Sequence, residues 1–392
     1  MRPSGAARHR QGQEALRRDD AGTLNERRTS PVELLWDLVF VFAVTQVTAL
    51  ISHHLTWEGA GEGLLVLALI WWAWSAFVWA ANATDPDGLT LRVALVVSMV
   101  AIFITGLAVP HAFGTDATVF AVSYAFVRFV HLALYADASR RGNASWAAIA
   151  GFATTVAIGM ALLVVGSLFD GAVRAILWIA AAAIDYAGPA WLTRERLAGL
   201  QAVAVAHFAE RYGLFIIICL GESIVAIGVG ASGHELDFEL VAAVTLAVLM
   251  VVGMWWTYFD RFAAVAEERL RGHDNPVLAA ADGYSYLHLL LVAGIIVFAV
   301  GVKVAIAHVS EPLSDGARLC MCGGVALYLV GHAAFRLRMT GSVEVVKLLA
   351  AGAVLVVFAL TGSADAWVTA IWVTAVLAAL TFREAREVAS HA

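Results

Sequence analysis

The chain has 392 residues, of which 61% are hydrophobic and 14% charged, with a mean hydropathy of +0.80 and a formal net charge of -6. Soluble domains carry about 25% charged residues, so this composition excludes an ordinary globular protein and points to a polytopic membrane protein. No basic run flanks the apolar segments and no zinc-finger spacing occurs, so no nucleic-acid partner is expected.

Residues 1–30 are Arg-rich and lack the apolar core of roughly 7–15 residues that marks a cleavable signal peptide. They read as a disordered cytoplasmic tail, because so polar a segment buries too little surface to offset the entropy of ordering. A membrane helix needs about 20 predominantly apolar residues, and about twelve stretches qualify. They are 33–54, 62–82, 91–110, 117–137, 145–168, 172–192, 203–230, 238–261, 281–307, 314–338, 344–362 and 366–382, with 387–392 as a second cytoplasmic tail. The alternating strands of an outer-membrane barrel do not occur. The expected fold class is therefore an all-α integral membrane protein.

Of the 25 Lys and Arg residues, only Arg174 and Arg318 fall in loops opposite the tail, and Arg128, Arg211 and Lys303 fall within spans. The remainder, Lys347 included, lie in the tail or in loops on its side. Both termini are thus expected in the cytoplasm and the protein in the inner membrane. Trp36, Trp57, Trp191 and Trp367 read as interfacial belt residues, and Trp71, Trp72 and Trp74 as bundle packing. Gly221 and Gly228 offer another helix a close approach to the seventh span.

The halves resemble each other, which predicts a duplication. Trp71-Trp72-Ala73-Trp74 has a counterpart in Trp255-Trp256-Thr257-Tyr258, and "FITG" (103–106) in "FAVG" (298–301). Tyr124, Arg128 and His131 match Tyr328, His332 and Arg336, and "LVFVFAVTQ" (38–46) overlays "LFIIICLGE" (214–222). The domains expected are two six-helix repeats, 31–200 and 201–386. An even number of spans per unit makes the repeats parallel, related by an axis along the membrane normal. Spans one and seven then face each other, with Gln46 set against Glu222.

An ionisable side chain at a helix centre costs roughly 2.5–3.5 kcal/mol on insertion scales, so such residues face a partner or water. The first span, "PVELLWDLVFVFAVTQ" (31–46) and onward, keeps Glu33, Asp37 and Gln46, and its Asp37, Thr45, Thr48 and Ser52 lie close to one face. In the seventh span His207, Arg211, Gly221 and Glu222 share a face, with Glu222 about 16 Å beyond Arg211 along the axis. These acids read either as members of a proton or cation path or as structural pairs. Depth matching offers Arg128 to Glu222 and Asp185 to Arg211, and Arg128 and Asp185 are taken as intramembrane pairing residues. Lys303 reads as an anchor that snorkels at the outer end of its span.

Cys219, Cys320 and Cys322 lie within apolar stretches, so neither a disulfide framework nor a metal site is expected. No phosphate-cradling Gly-x-x-x-x-Gly-Lys-Ser/Thr, Gly-x-Ser-x-Gly elbow or His-Glu-x-x-His helix occurs. The reading is therefore of a protein that is not an enzyme, with no catalytic residues and no cofactor.

At "VELLWDLVFVFAVTQ" and "HFAERYGLFIIICLGES" the chain resembles the low temperature requirement protein A family of bacterial multi-pass membrane proteins, from about residue 29 through the last span. The family's pattern falls on Glu33, Asp37, Gln46, His207, Glu210, Arg211, Gly221, Glu222 and Ser223, with Trp36 where Phe is common. The resemblance implies a membrane protein and supplies no reaction. "WDLVFVFAVT" is also similar to the first helix of two-repeat endolysosomal and bacterial potassium channels, with Trp36 in place of a Ser and Leu38 in place of a Gly.

Two function classes follow. One is a secondary transporter or channel-like permease for a small solute or monovalent cation, its path between helices one and seven near Glu33, Asp37, Gln46, His207, Glu210, Arg211, Glu222 and Ser223. The other is a non-transporting membrane component that binds lipid or a partner protein in envelope adaptation to cold. The partners expected are the bilayer, the solute or cation and, as one option, a second copy in a homodimer.

Overall fold

The structure is a computed structural model that describes residues 29–84, 88–189, 203–260 and 262–389. Its first helix, α1 (Pro31–His53), begins at a capping box in which the Ser30 N–H and hydroxyl both donate to Glu33 Oε2 at 2.8 Å. Pro31 fills the first helical position, where an N–H would have no intrahelical partner. There follow α2 (Trp57–Ala83), α3 (Leu89–Ala108), α4 (Ala117–Arg140), α5 (Trp146–Gly166) and α6 (Gly171–Ala187). The second half contains α7 (Val205–Ala231), α8 (Phe238–Phe259) and the short α9 (Phe262–Arg271) and α10 (Pro276–Ala280). A π-helical stretch, Ala281–Leu287, leads into α11 (His288–Ala307), followed by α12 (Asp315–Thr340), α13 (Val345–Leu360) and α14 (Ala366–Ala389).

Side-chain caps at Thr56, Asp237, Asn275 and Ser314 satisfy the first free N–H groups of α2, α8, α10 and α12. Gly341, at φ +69°, ends α12 in the left-handed conformation that glycine adopts without strain. Among the described residues ten helical stretches are long and apolar enough to cross a membrane. The predicted spans 172–192 and 344–362 coincide with shorter helices, α6 at 17 residues and α13 at 16. The predicted tail 1–30, Thr29 and Ser30 apart, and the repeat boundary near residue 200 lie outside the described residues, while α14 continues into the predicted tail at 387.

Large apolar side chains such as Val96, Val100, Phe103 and Ile176 stand exposed on the outer faces, where hydrocarbon is their natural solvent. Trp57 and Trp367 are exposed. Trp36 is not: it is fully buried between Phe40 and Phe77, with ring centroids at 4.6 and 4.5 Å. Its place near a helix start suggested the interface, but α1 is packed against α2, α3, α7 and α11, leaving that face no contact with lipid. Trp191 lies outside the described residues.

The tightest crossing is α11 on α12. A Cβ added at Gly294 would stand 2.6 Å from the Tyr328 nitrogen, and additions at Gly301 and Gly324 would run into the backbones of Met321 and Phe298. Gly221 and Gly228, expected to serve this purpose on α7, have nothing within 4 Å of such a Cβ. The glycine of α7 that is closely approached is Gly230, 2.5 Å from the Lys303 carbonyl by the same construction. Two tyrosines make similar contacts: Tyr124 of α4 donates to the Leu69 carbonyl of α2, and Tyr328 of α12 to the Met254 carbonyl of α8, each at 2.8 Å.

Candidate functional site

α1 and α7 meet along a polar seam. Near their N-terminal ends Arg211 of α7 reaches two acids of α1, with Nη1 2.9 Å from Glu33 Oε1 and Nη2 2.6 Å from Asp37 Oδ1. Glu33 and Asp37 stand one helical turn apart, so a single guanidinium fork spans both. His207, one turn before Arg211, places Nε2 3.2 Å from Glu33 Oε1. The Trp74 indole N–H of α2 donates to Asp37 Oδ1 at 2.7 Å. All four ionisable side chains are at most 1% exposed.

Among the described residues two carboxylates and one imidazole thus gather around a single buried guanidinium. Asp37 Oδ2 and Arg211 Nε have no hydrogen-bond partner among the described residues.

Farther along the seam Thr45 donates its hydroxyl to Glu222 at 2.5 Å, and beyond that Lys303 of α11 donates to the Ser52 hydroxyl at 3.2 Å. Glu222 is 5% exposed and Ser223 fully buried. The residue that Glu222 meets is Thr45, the neighbour of Gln46; Gln46 itself is half-buried. An overlay of the two halves cannot see that one-residue rotation. Glu210 is exposed and accepts from the Thr29 N–H at 3.2 Å. Lys303 is half-buried and reaches Ser52 at the end of α1.

Arg128 of α4 pairs with Asp185 of α6 at 2.7 Å, and Arg211 with Glu33 and Asp37, so neither of the two pairs suggested by depth forms. Several residues escaped the sequence reading. Trp74 is the indole donor to Asp37, and behind it Tyr212 bridges the Ser75 hydroxyl at 2.8 Å and the Ser285 hydroxyl at 3.0 Å. The repeated Trp motif pointed at Trp74, whereas nothing in an apolar helix distinguishes Ser75 or Ser285. Lys347, assigned to a loop, is buried in α13, 3.3 Å from His332 Nδ1 and 3.4 Å from Glu384. Among the described residues no group of three His, Cys, Asp or Glu side chains could hold a metal ion.

A family model described as bacterial low temperature requirement A protein (LtrA) matches residues 28–382. The chain is 29% identical over 313 residues to the uncharacterized protein RA0937 of Rhizobium meliloti (strain 1021), covering 78% of this chain and 76% of that protein. No solved structure matches the chain.

Proposed function

The chain belongs to the bacterial low temperature requirement A family, and on that premise we propose that it is a secondary transporter or channel-like permease for a small solute or monovalent cation. It would reside in the inner membrane with both termini cytoplasmic, and it would act as a carrier, not as an enzyme. The observation that carries this reading is the length of the α1 seam. Glu33, Asp37, Thr45 and Ser52 all turn polar atoms toward α7 or α11. At 1.5 Å per residue Glu33 and Ser52 stand about 28 Å apart, close to the hydrocarbon thickness of about 30 Å. A helix that only packs has no need of polar contacts through the whole bilayer. A proton exchanged at the Glu33, Asp37, His207 and Arg211 cluster would give a way to couple movement along the seam to a proton gradient.

The rival reading, a membrane component that binds lipid or a partner protein, draws on the direct pairing within the seam, since satisfied pairs suffice for a scaffold. Water access separates the two. With Cys219, Cys320 and Cys322 replaced by Ala, Thr45→Cys and Ser223→Cys are exposed to a small membrane-impermeant thiol reagent in sealed vesicles. Labelling that changes with an imposed pH gradient is expected of a transporter. Complete protection of both positions under every gradient would contradict an aqueous path along this seam.

A further inference from the structure

The layer of Trp74, Ser75, Tyr212 and Ser285 has the α1–α7 seam on one side and a cavity on the other. Ser75 and Ser285 line that cavity of about 70 Å³ together with Trp72, Tyr286, Arg128 and Asp185. One water needs roughly 10–15 Å³ on this measure, so there is room for about five waters or a solute of about five non-hydrogen atoms. Arg128 and Asp185 pair through a single contact, Nη2 to Oδ1 at 2.7 Å, and are 2% and 1% exposed. Nε and Nη1 of Arg128 are buried without a hydrogen-bond partner among the described residues, and Oδ2 of Asp185 has none of close geometry, with the Trp72 indole N–H facing that carboxylate. Buried polar groups are ordinarily satisfied, and ionised ones most of all.

The pair has no net charge. A lone anion or cation entering the cavity would be an uncompensated buried charge. A net-neutral solute with an acceptor at one end and a donor at the other would complete both partners, its acceptor taking the open side of the guanidinium fork. We propose that this cavity binds such a solute, a zwitterion or a planar amide of about five non-hydrogen atoms, between Arg128 and Asp185.

The second half holds a related arrangement. Tyr124 and Arg128 stand at the same spacing as Tyr328 and His332, anchored by the parallel tyrosine contacts on Leu69 and Met254. Phe335 and Met339 line a pocket of about 340 Å³ with Lys347 and Glu384, again one buried cation beside one acid of the last span of its half. Binding at Arg128 and Asp185 stands whether or not the chain transports, because it is measured without flux.

The test is equilibrium binding of radiolabelled glycine and urea to the full chain in lipid-detergent micelles, with acetate and methylammonium as singly charged competitors. Saturable binding of glycine identifies the zwitterion, and of urea the amide. Affinity should fall about tenfold or more in Arg128→Lys, which keeps the charge but loses the fork. It should fall similarly in Ala76→Leu, which fills the cavity wall and leaves the pair untouched. Should Arg128→Lys not fold, Ala76→Leu carries the test alone. Absence of saturable binding by both probes, competition by acetate or methylammonium as strong as by the bound probe, or wild-type affinity in Ala76→Leu would overturn the proposal.

Discussion

Removing the cation from the α1–α7 cluster is the sharpest perturbation the seam offers. Arg211→Met keeps much of the side-chain volume but takes from Glu33 and Asp37 the contacts at 2.9 and 2.6 Å. At charge-centre separations of about 4 Å and an effective dielectric of about 20, each pair is worth about 4 kcal/mol, or about 8 kcal/mol gross for the two. Freeing the guanidinium from burial returns several kcal/mol of that, so the expected net loss is about 3–5 kcal/mol. The assay is reversible unfolding in mixed micelles by titration with sodium dodecyl sulfate, followed by tryptophan fluorescence. Adding Asp37→Asn in the Arg211→Met background should recover part of the loss, because the carboxylate that has lost its cation at 2.6 Å disappears while the Trp74 N–H keeps an acceptor. Arg211→Met within about 1 kcal/mol of wild type, well short of the cost expected for breaking a buried pair, or a double variant no better than the single, would refute the account of this cluster.

Thr45→Val removes the hydroxyl from Glu222 and should cost about 1.5–3 kcal/mol in the same assay, as hydrogen bonds to charged groups do. Gly324→Ala forces a Cβ into the Phe298 backbone and should cost about 1–3 kcal/mol. Gly221→Ala, facing open space, should be neutral or stabilising by up to about 1 kcal/mol, as helix propensity dictates. Lys347→Met leaves Glu384 without its cation and should lower the unfolding midpoint, with Glu384→Gln in the same chain restoring part of it.

The sequence made the membrane class and most helix positions legible because hydropathy is a one-dimensional property, summed along a segment. Partner choice is not. Asp37 and Asp185 lie at similar depth, each near the end of its helix expected on the cytoplasmic side, so depth alone allowed either to meet Arg211. What decides is which helices are neighbours and how each is rotated, and that emerges only when α1 packs against α7, and α4 stands opposite α6. The same limit explains Gln46. Counting residues brought it level with Glu222, but the rotation of α1 presents Thr45 instead. Trp36 and Lys347 were misplaced for a related reason. Nearness to a helix end suggests the interface, yet both side chains are buried by their neighbours, and Lys347 finds His332 and Glu384 there. The polar face of α1 was visible from spacing alone, since Asp37, Thr45 and Ser52 recur at near-helical intervals.

Flux tests the central claim most directly. Purified chain is reconstituted into proteoliposomes, and uptake of protons, potassium, sodium and small neutral solutes is followed with and without a pH gradient, for wild type and Glu222→Gln at matched, folded incorporation. A path along the α1–α7 seam predicts flux by the wild type that Glu222→Gln abolishes or uncouples from protons. Wild-type and variant vesicles that are equally impermeable to the whole panel, with Glu222→Gln altering only thermal stability, would contradict it.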